Sequence, residues 1–132
     1  DRAPMALNAQ TPFRDGGGQD VTETLEVTQG KLCMGLITPI TNRCPEFPAM
    51  QLFNTVFGAG MTSKLFVNIR EKLSLCYSVG SGYYGTKGIV TVSAGIDFDK
   101  ESRTREEIAR QLDAICRGEI TDEEFRRILT KL

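Results

Sequence analysis

Ser63-Lys64-Leu65-Phe66-Val67-Asn68-Ile69-Arg70-Glu71-Lys72-Leu73-Ser74-Leu75-Cys76-Tyr77-Ser78-Val79 changes its hydrophobic period part-way along. Leu65, Ile69 and Leu73 recur at four-residue intervals and Phe66 joins their face, which is the pattern of an amphipathic helix. Leu75, Tyr77 and Val79 then alternate, which is the pattern of a strand. The stretch predicts a helix that hands directly to a strand, with Arg70 in the last turns of the one and Tyr77 on the other. Two hydrogen-bond donors, one of them permanently charged, can then converge on one point.

On the N-terminal side, the small-residue turn Phe57-Gly58-Ala59-Gly60 precedes this helix, with Thr62 or Ser63 as its cap. A glycine-rich turn ahead of a helix also suggests a phosphate loop. Gly58-Ala59-Gly60-Met61-Thr62-Ser63 lacks the third glycine of one such fingerprint and the Gly-Lys pair of the other, so nucleotide binding is set aside. Before the turn, Pro45 and Pro48 suit the first turn of a helix whose apolar face is broad: Phe47, Ala49, Met50, Leu52, Phe53, Val56 and Phe57. That helix is expected to be largely buried. Residues 21–39 are rich in β-branched residues, with Leu25 and Val27 before a Gln29-Gly30 turn signal, and read as one long bent strand or two. Residues 1–20, with Gly16-Gly17-Gly18, read as a linker or domain edge.

On the C-terminal side, residues 75–84 and 88–97 read as an antiparallel hairpin around Gly85-Thr86-Lys87-Gly88, with Val90, Val92, Ala94 and Ile96 on one face. Ile108, Leu112, Ile115 and Cys116 follow at helical spacing, and Gly118 supplies a left-handed stop. Thr121 with Glu124 forms a capping box for a last helix carrying Phe125, Ile128, Leu129 and Leu132. With no stop signal after it, the chain reads as a fragment. The order is sheet, two helices, hairpin, two helices. It predicts an α+β domain over residues 21–132, truncated at its C-terminus, with helices packed on one face of a mainly antiparallel sheet.

Composition sets limits on function. With 132 residues and 40% hydrophobic content, the chain suits one domain with a modest core. A net charge of −1 argues against a nucleic-acid partner. No apolar run is long enough to span a bilayer, so no membrane partner is expected. Cys33, Cys44, Cys76 and Cys116 show no Cys-x-x-Cys pairing and read as free buried thiols, which favours a reducing, cytoplasmic setting.

The glycine-rich turn, Ser63-Lys64-Leu65-Phe66, Arg70, and Tyr77 seven positions later resemble the second, zinc-free domain of the insulinase/pitrilysin-type zinc peptidases, which include the mitochondrial processing peptidases. The resemblance runs over residues 21–132 and takes in Gly95-Ile96-Asp97 and Gly118-Glu119-Ile120-Thr121-Asp122-Glu123-Glu124. It departs at Ser74, where that family usually places glycine. The resemblance implies a half-sandwich domain whose duplicate carries the zinc motif, the two closing around a peptide. Those enzymes hold zinc through His-x-x-Glu-His and a distal glutamate. This chain has no histidine at all, so it carries no cofactor of its own and is expected to be inactive alone. Zinc is expected in a homologous domain or subunit, and the partners implied are that zinc-bearing half and a peptide substrate.

Within that resemblance Tyr77 would donate to the oxyanion of peptide hydrolysis, and Arg70 would hold the substrate backbone or the tyrosine. Taken alone, a late-helix arginine more often complements the helix dipole, and a strand tyrosine more often packs its ring. Tyr83 and Tyr84 could contact a peptide near the hairpin tip. Asp97 and Asp99 lack a third ligand for a metal, and Asp99 reads as a helix cap. Residues 100–107 read as a solvated helix face. The hairpin's edge could take an extended peptide as an added strand. Two other classes of function stand beside the auxiliary peptidase domain: a non-catalytic scaffold, like the peptidase-related core subunits of respiratory complexes, and independent chemistry by a cysteine such as Cys76, which lacks a histidine base.

Overall fold

The computed structural model describes residues 18–129 of the chain. Their elements are β1 (Gly30–Ile37), α1 (Phe47–Phe57), a π-helical segment (Leu65–Lys72), β2 (Ser78–Tyr84), β3 (Ile89–Ile96), a 3₁₀ turn (Phe98–Lys100), α2 (Glu101–Cys116) and α3 (Asp122–Leu129). The sheet has three strands in the order β1-β3-β2, and both pairings are antiparallel. Register puts Leu32, Met34 and Leu36 opposite Ala94, Val92 and Val90, with Val79, Ser81 and Tyr83 against the same three residues from the other side. Because side chains alternate across a sheet, these residues share one face.

The helices cover that face. Leu32, Val92, Ala94 and Ile96 from the strands join Phe57, Leu65, Ile69, Cys76 and Ile108 in one buried cluster. Each large side chain buried there contributes about 1.5–3 kcal/mol. The other face of the sheet is small and polar, with Lys31, Cys33, Ser78, Ser93 and Tyr84 exposed. The fold is therefore the expected α+β arrangement. Among the described residues no helix is long and apolar enough to cross a membrane.

Local signals act where the sequence put them. Ser63 Oγ accepts from the Phe66 amide and donates to the Gly60 carbonyl, closing the turn into the π-helical segment. Gly118 has φ +76° and ends α2. The capping box is complete: the Glu124 amide donates to Thr121 Oγ1 (3.1 Å) and the Thr121 amide to Glu124 Oε2 (3.3 Å).

Other expectations are corrected. The strand or strands expected over residues 21–39 shrink to β1, and Val21, Leu25 and Val27 are exposed in irregular backbone. Pairing stops at Gly30↔Ile96 because the chain turns into the 3₁₀ helix at Phe98 and leaves no strand for the earlier residues. Helix α1 is half-buried, not largely buried. Only its C-terminal end reaches the core, with Phe53 and Phe57 stacked at 5.4 Å between centroids. All four cysteines are free, yet only Cys76 is buried, since Cys33 points to the open sheet face and Cys116 sits exposed at the end of α2. Asp99 caps no helix with its side chain and lies inside the 3₁₀ turn. The linker or domain edge expected over residues 1–20 lies largely outside the described residues, as does Leu132 on the last helix.

Candidate functional site

A helix must be followed by a reversal if the next residues are to enter a strand beside it, and here the reversal falls on Ser74. Its φ is +52°, a left-handed conformation that costs a non-glycine residue roughly 1–2 kcal/mol. The Arg70 carbonyl receives the amides of both Leu73 and Ser74, and the Ile69 carbonyl receives that of Leu75. These bonds tie the end of the π-helical segment to the start of the next element. Tyr77 follows one residue before β2, not inside it as the alternation suggested, although its amide already bonds the Gly95 carbonyl of β3 (2.8 Å).

This turn brings Arg70 and Tyr77 together through the backbone. Arg70 Nε donates to the Tyr77 carbonyl oxygen at 2.8 Å, and the guanidinium lies 4.8 Å from the centre of the Phe66 ring, a cation–π contact along one helix face. Among the described residues, no other hydrogen bond or ion pair occupies the Arg70 side chain, so its terminal amino groups face solvent. The Tyr77 side chain is half exposed, and its hydroxyl donates to Asp97 Oδ1. Asp97 Oδ2 lies 3.6 Å from Lys100 Nζ, which also donates to the Ser74 carbonyl at 3.3 Å.

These residues surround an open depression of about 480 Å³, lined by Arg70, Ser74, Leu75, Cys76, Tyr77, Asp97 and Lys100. The bond to Asp97 is the main cause that pushes the Tyr77 phenol above its ordinary pKa, with desolvation and the charges of Asp97 and Asp99 adding to it. Burial raises the Cys76 thiol, while the Arg70 charge pulls it the other way. The Cys76 side chain lines the groove, and the net upward shift runs against the thiolate that independent cysteine chemistry would need.

Other singled-out residues fall elsewhere. Tyr83 is on the helix-covered face, its ring 5.9 Å from that of Phe47 and its hydroxyl donating to the Ile40 carbonyl, so it serves packing. Tyr84 is exposed on the opposite face. The edge of β2 is not free for an added strand at its centre, because the Ser81 amide donates to the Gly58 carbonyl (3.0 Å) and Ser81 Oγ to Asn54 Oδ1. A Cβ on residue 58 would lie 2.7 Å from the Ser81 nitrogen, which is why glycine stands there. Asp97, read with Asp99 as a metal pair lacking a third ligand, and Lys100, read as part of a solvated helix face, prove to be Tyr77's neighbours. The hairpin register was the signal that could have found them, since it sets Tyr77 just beyond the Ser78↔Gly95 pair.

The sequence contains no histidine, and among the described residues no three Cys, Asp or Glu side chains cluster as ligands.

A sequence profile described as the peptidase M16 inactive domain matches residues 5–132. The chain belongs to that family. This M16 domain is 37% identical over 107 residues to a protein of Bacillus subtilis named "Probable inactive metalloprotease YmfF", covering 81% of this chain and 25% of that protein. It is 34% identical over 120 residues to an "Uncharacterized zinc protease" of Rickettsia felis, covering 89% of this chain and 28% of the other. A crystal structure of a conserved protein from Enterococcus faecalis superposes with a TM-score of 0.75 at 33% identity, over 77% of this chain and 24% of that one. A peptidase M16 inactive domain from Pseudomonas fluorescens shares the fold, with a TM-score of 0.73 at 20% identity, over 81% of this chain and 26% of that one. The chain thus spans about a quarter of the length of these proteins.

Proposed function

We propose that this M16 domain is the auxiliary, zinc-free half of a zinc-dependent metallopeptidase and that it contributes Arg70 and Tyr77 to peptide binding and oxyanion stabilisation. The observation that carries the reading is the arrangement of the two side chains on one accessible groove, locked together through the Tyr77 carbonyl. Peptide hydrolysis builds negative charge on the scissile carbonyl oxygen. Donors held in advance by a helix end and a strand lower that barrier without reorganising. Tyr77 supplies a neutral hydroxyl, and the unoccupied terminal amino groups of Arg70 supply charged donors for the substrate backbone. Neither makes a nucleophile, so the metal and its activated water belong to a homologous domain or subunit. The exposed free thiols of Cys33 and Cys116 support a reducing, cytoplasmic setting.

A second reading is a non-catalytic scaffold or peptide-binding module. It is supported by the name "Probable inactive metalloprotease" carried by a relative and by the Tyr77 hydroxyl being engaged by Asp97. Tyr77→Phe in the complete protein, assembled with its zinc-bearing counterpart, separates the two. Removing one oxyanion donor costs on the order of a hundredfold in turnover. The peptidase reading expects a loss of that size with unchanged zinc content and stability. Full activity on several peptides would leave the scaffold reading standing in its place.

A further inference from the structure

We infer that Asp97 is a positioning residue for Tyr77: its carboxylate, steadied by Lys100, holds the tyrosine hydroxyl at the groove in the free protein and yields it to the oxyanion during reaction. The inference rests on the peptidase reading above and concerns the same site.

A phenol has one proton to donate. In this structure that proton goes to Asp97 Oδ1, so Tyr77 cannot at the same moment donate to a substrate. Half of the Tyr77 surface is exposed, and among the described residues the bond to Asp97 is the contact that the hydroxyl makes. Asp97 is itself held at both ends. Its Oδ2 pairs with Lys100 Nζ at 3.6 Å, its carbonyl receives the Lys100 amide at 3.0 Å, and Lys100 Nζ is anchored in turn on the Ser74 carbonyl. The left-handed Ser74 turn that delivers Tyr77 to the groove therefore also anchors the lysine that steadies the tyrosine's partner.

The competition for the proton has a sign. Hydrogen bonds to a charged acceptor are roughly twice as strong as neutral ones. A neutral peptide carbonyl in the ground state therefore does not draw the hydroxyl off Asp97, whereas an oxyanion competes with the carboxylate on equal terms. Exchange occurs as charge develops, which reserves the Tyr77 bond for the transition state, where a bond raises turnover. After the exchange Asp97 still faces Lys100, so no lone charge is left behind. The raised phenol pKa keeps the proton in place throughout the neutral range.

The test uses the complete protein with its zinc-bearing counterpart and a double-mutant cycle. Asp97→Ala is expected to lower kcat roughly tenfold, within the hundredfold that misplacing a reacting group can cost, with KM changed less than about twofold. Asp97→Asn keeps an acceptor oxygen of the same shape without its charge, so it should restore the part of that loss that comes from misplacing the hydroxyl. In the Tyr77→Phe background, Asp97→Ala should cost nothing further. In parallel, tyrosinate absorbance, taken as the difference from Tyr77→Phe, should show the Tyr77 phenol titrating at lower pH in Asp97→Asn than in the parent. A full loss from Asp97→Ala in the Tyr77→Phe background, or a phenol titration that Asp97→Asn leaves unmoved, overturns the inference alone. Unchanged turnover in Tyr77→Phe itself sinks the peptidase reading, and the catalytic part of this one with it.

Discussion

Lys64–Glu124 and Lys100–Asp97 join the same kinds of charge in opposite surroundings. The first lies inside the fold, with Lys64 only 7% exposed, Glu124 22% exposed and 3.0 Å between them. The second lies on the groove, its side chains about two-fifths exposed and 3.6 Å apart. In the first, the Lys64 amine is held away from most solvent against a carboxylate that is only partly exposed, and Glu124 is also engaged by the capping box of α3. Breaking such a pair strands a charge. In the second, solvent screens the attraction, so the pair adds little to stability and its carboxylate remains free to trade hydrogen-bond donors. Burial decides which ion pair holds the fold and which stays open to exchange with solvent.

That contrast can be broken by substitution. Lys64→Ala leaves Glu124 without its buried partner and is expected to destabilise the protein by about 2–3 kcal/mol in urea unfolding. A loss under about 0.5 kcal/mol would mean that the pair is as well solvated as the one on the groove. Thr121→Ala removes one arm of the capping box and should cost about 1 kcal/mol. A cost near zero would show that Lys64 alone orients Glu124. Ser74→Gly relieves the left-handed strain beside the groove and, after the extra backbone entropy of glycine, should stabilise by about 0.5–1 kcal/mol. Destabilisation there would show that the serine side chain contributes something its backbone does not. The smallest effect belongs to Lys100→Ala, expected within about 0.5 kcal/mol of the parent. A larger loss would place the groove pair with the buried one.

Much of the architecture was legible because its signals are short-ranged. Gly118, the Thr121–Glu124 box and the alternation of Val90, Val92, Ala94 and Ile96 each act within a few residues and needed no knowledge of the rest of the chain. Expectations failed where a partner was required. Val21, Leu25 and Val27 look like strand, yet lie in irregular backbone because β3 ends before it could pair with them. The Met50 and Leu52 side of α1 looks like core, yet stays half-buried because only the Phe53 and Phe57 end meets the cluster. Tyr83 and Tyr84 are neighbours of identical type, separated in role only by the face of β2 each takes.

At the groove the division is sharper. The sequence was enough to show that Arg70 lies in the last turns of a helix, that Tyr77 comes seven positions later in a different periodicity, and that no histidine is present to bind zinc. Periodicity, turn chemistry and composition are properties of neighbouring residues or of the whole chain, so they can be read without coordinates. That the Tyr77 hydroxyl meets Asp97, twenty residues on, emerges from the folded chain alone. That meeting depends on the hairpin register, the left-handed backbone of Ser74 and the 3₁₀ turn that carries Lys100 back to the groove. A hydrogen bond needs its two atoms within a few tenths of an ångström of one distance, and only the closed fold holds three separate segments to that tolerance.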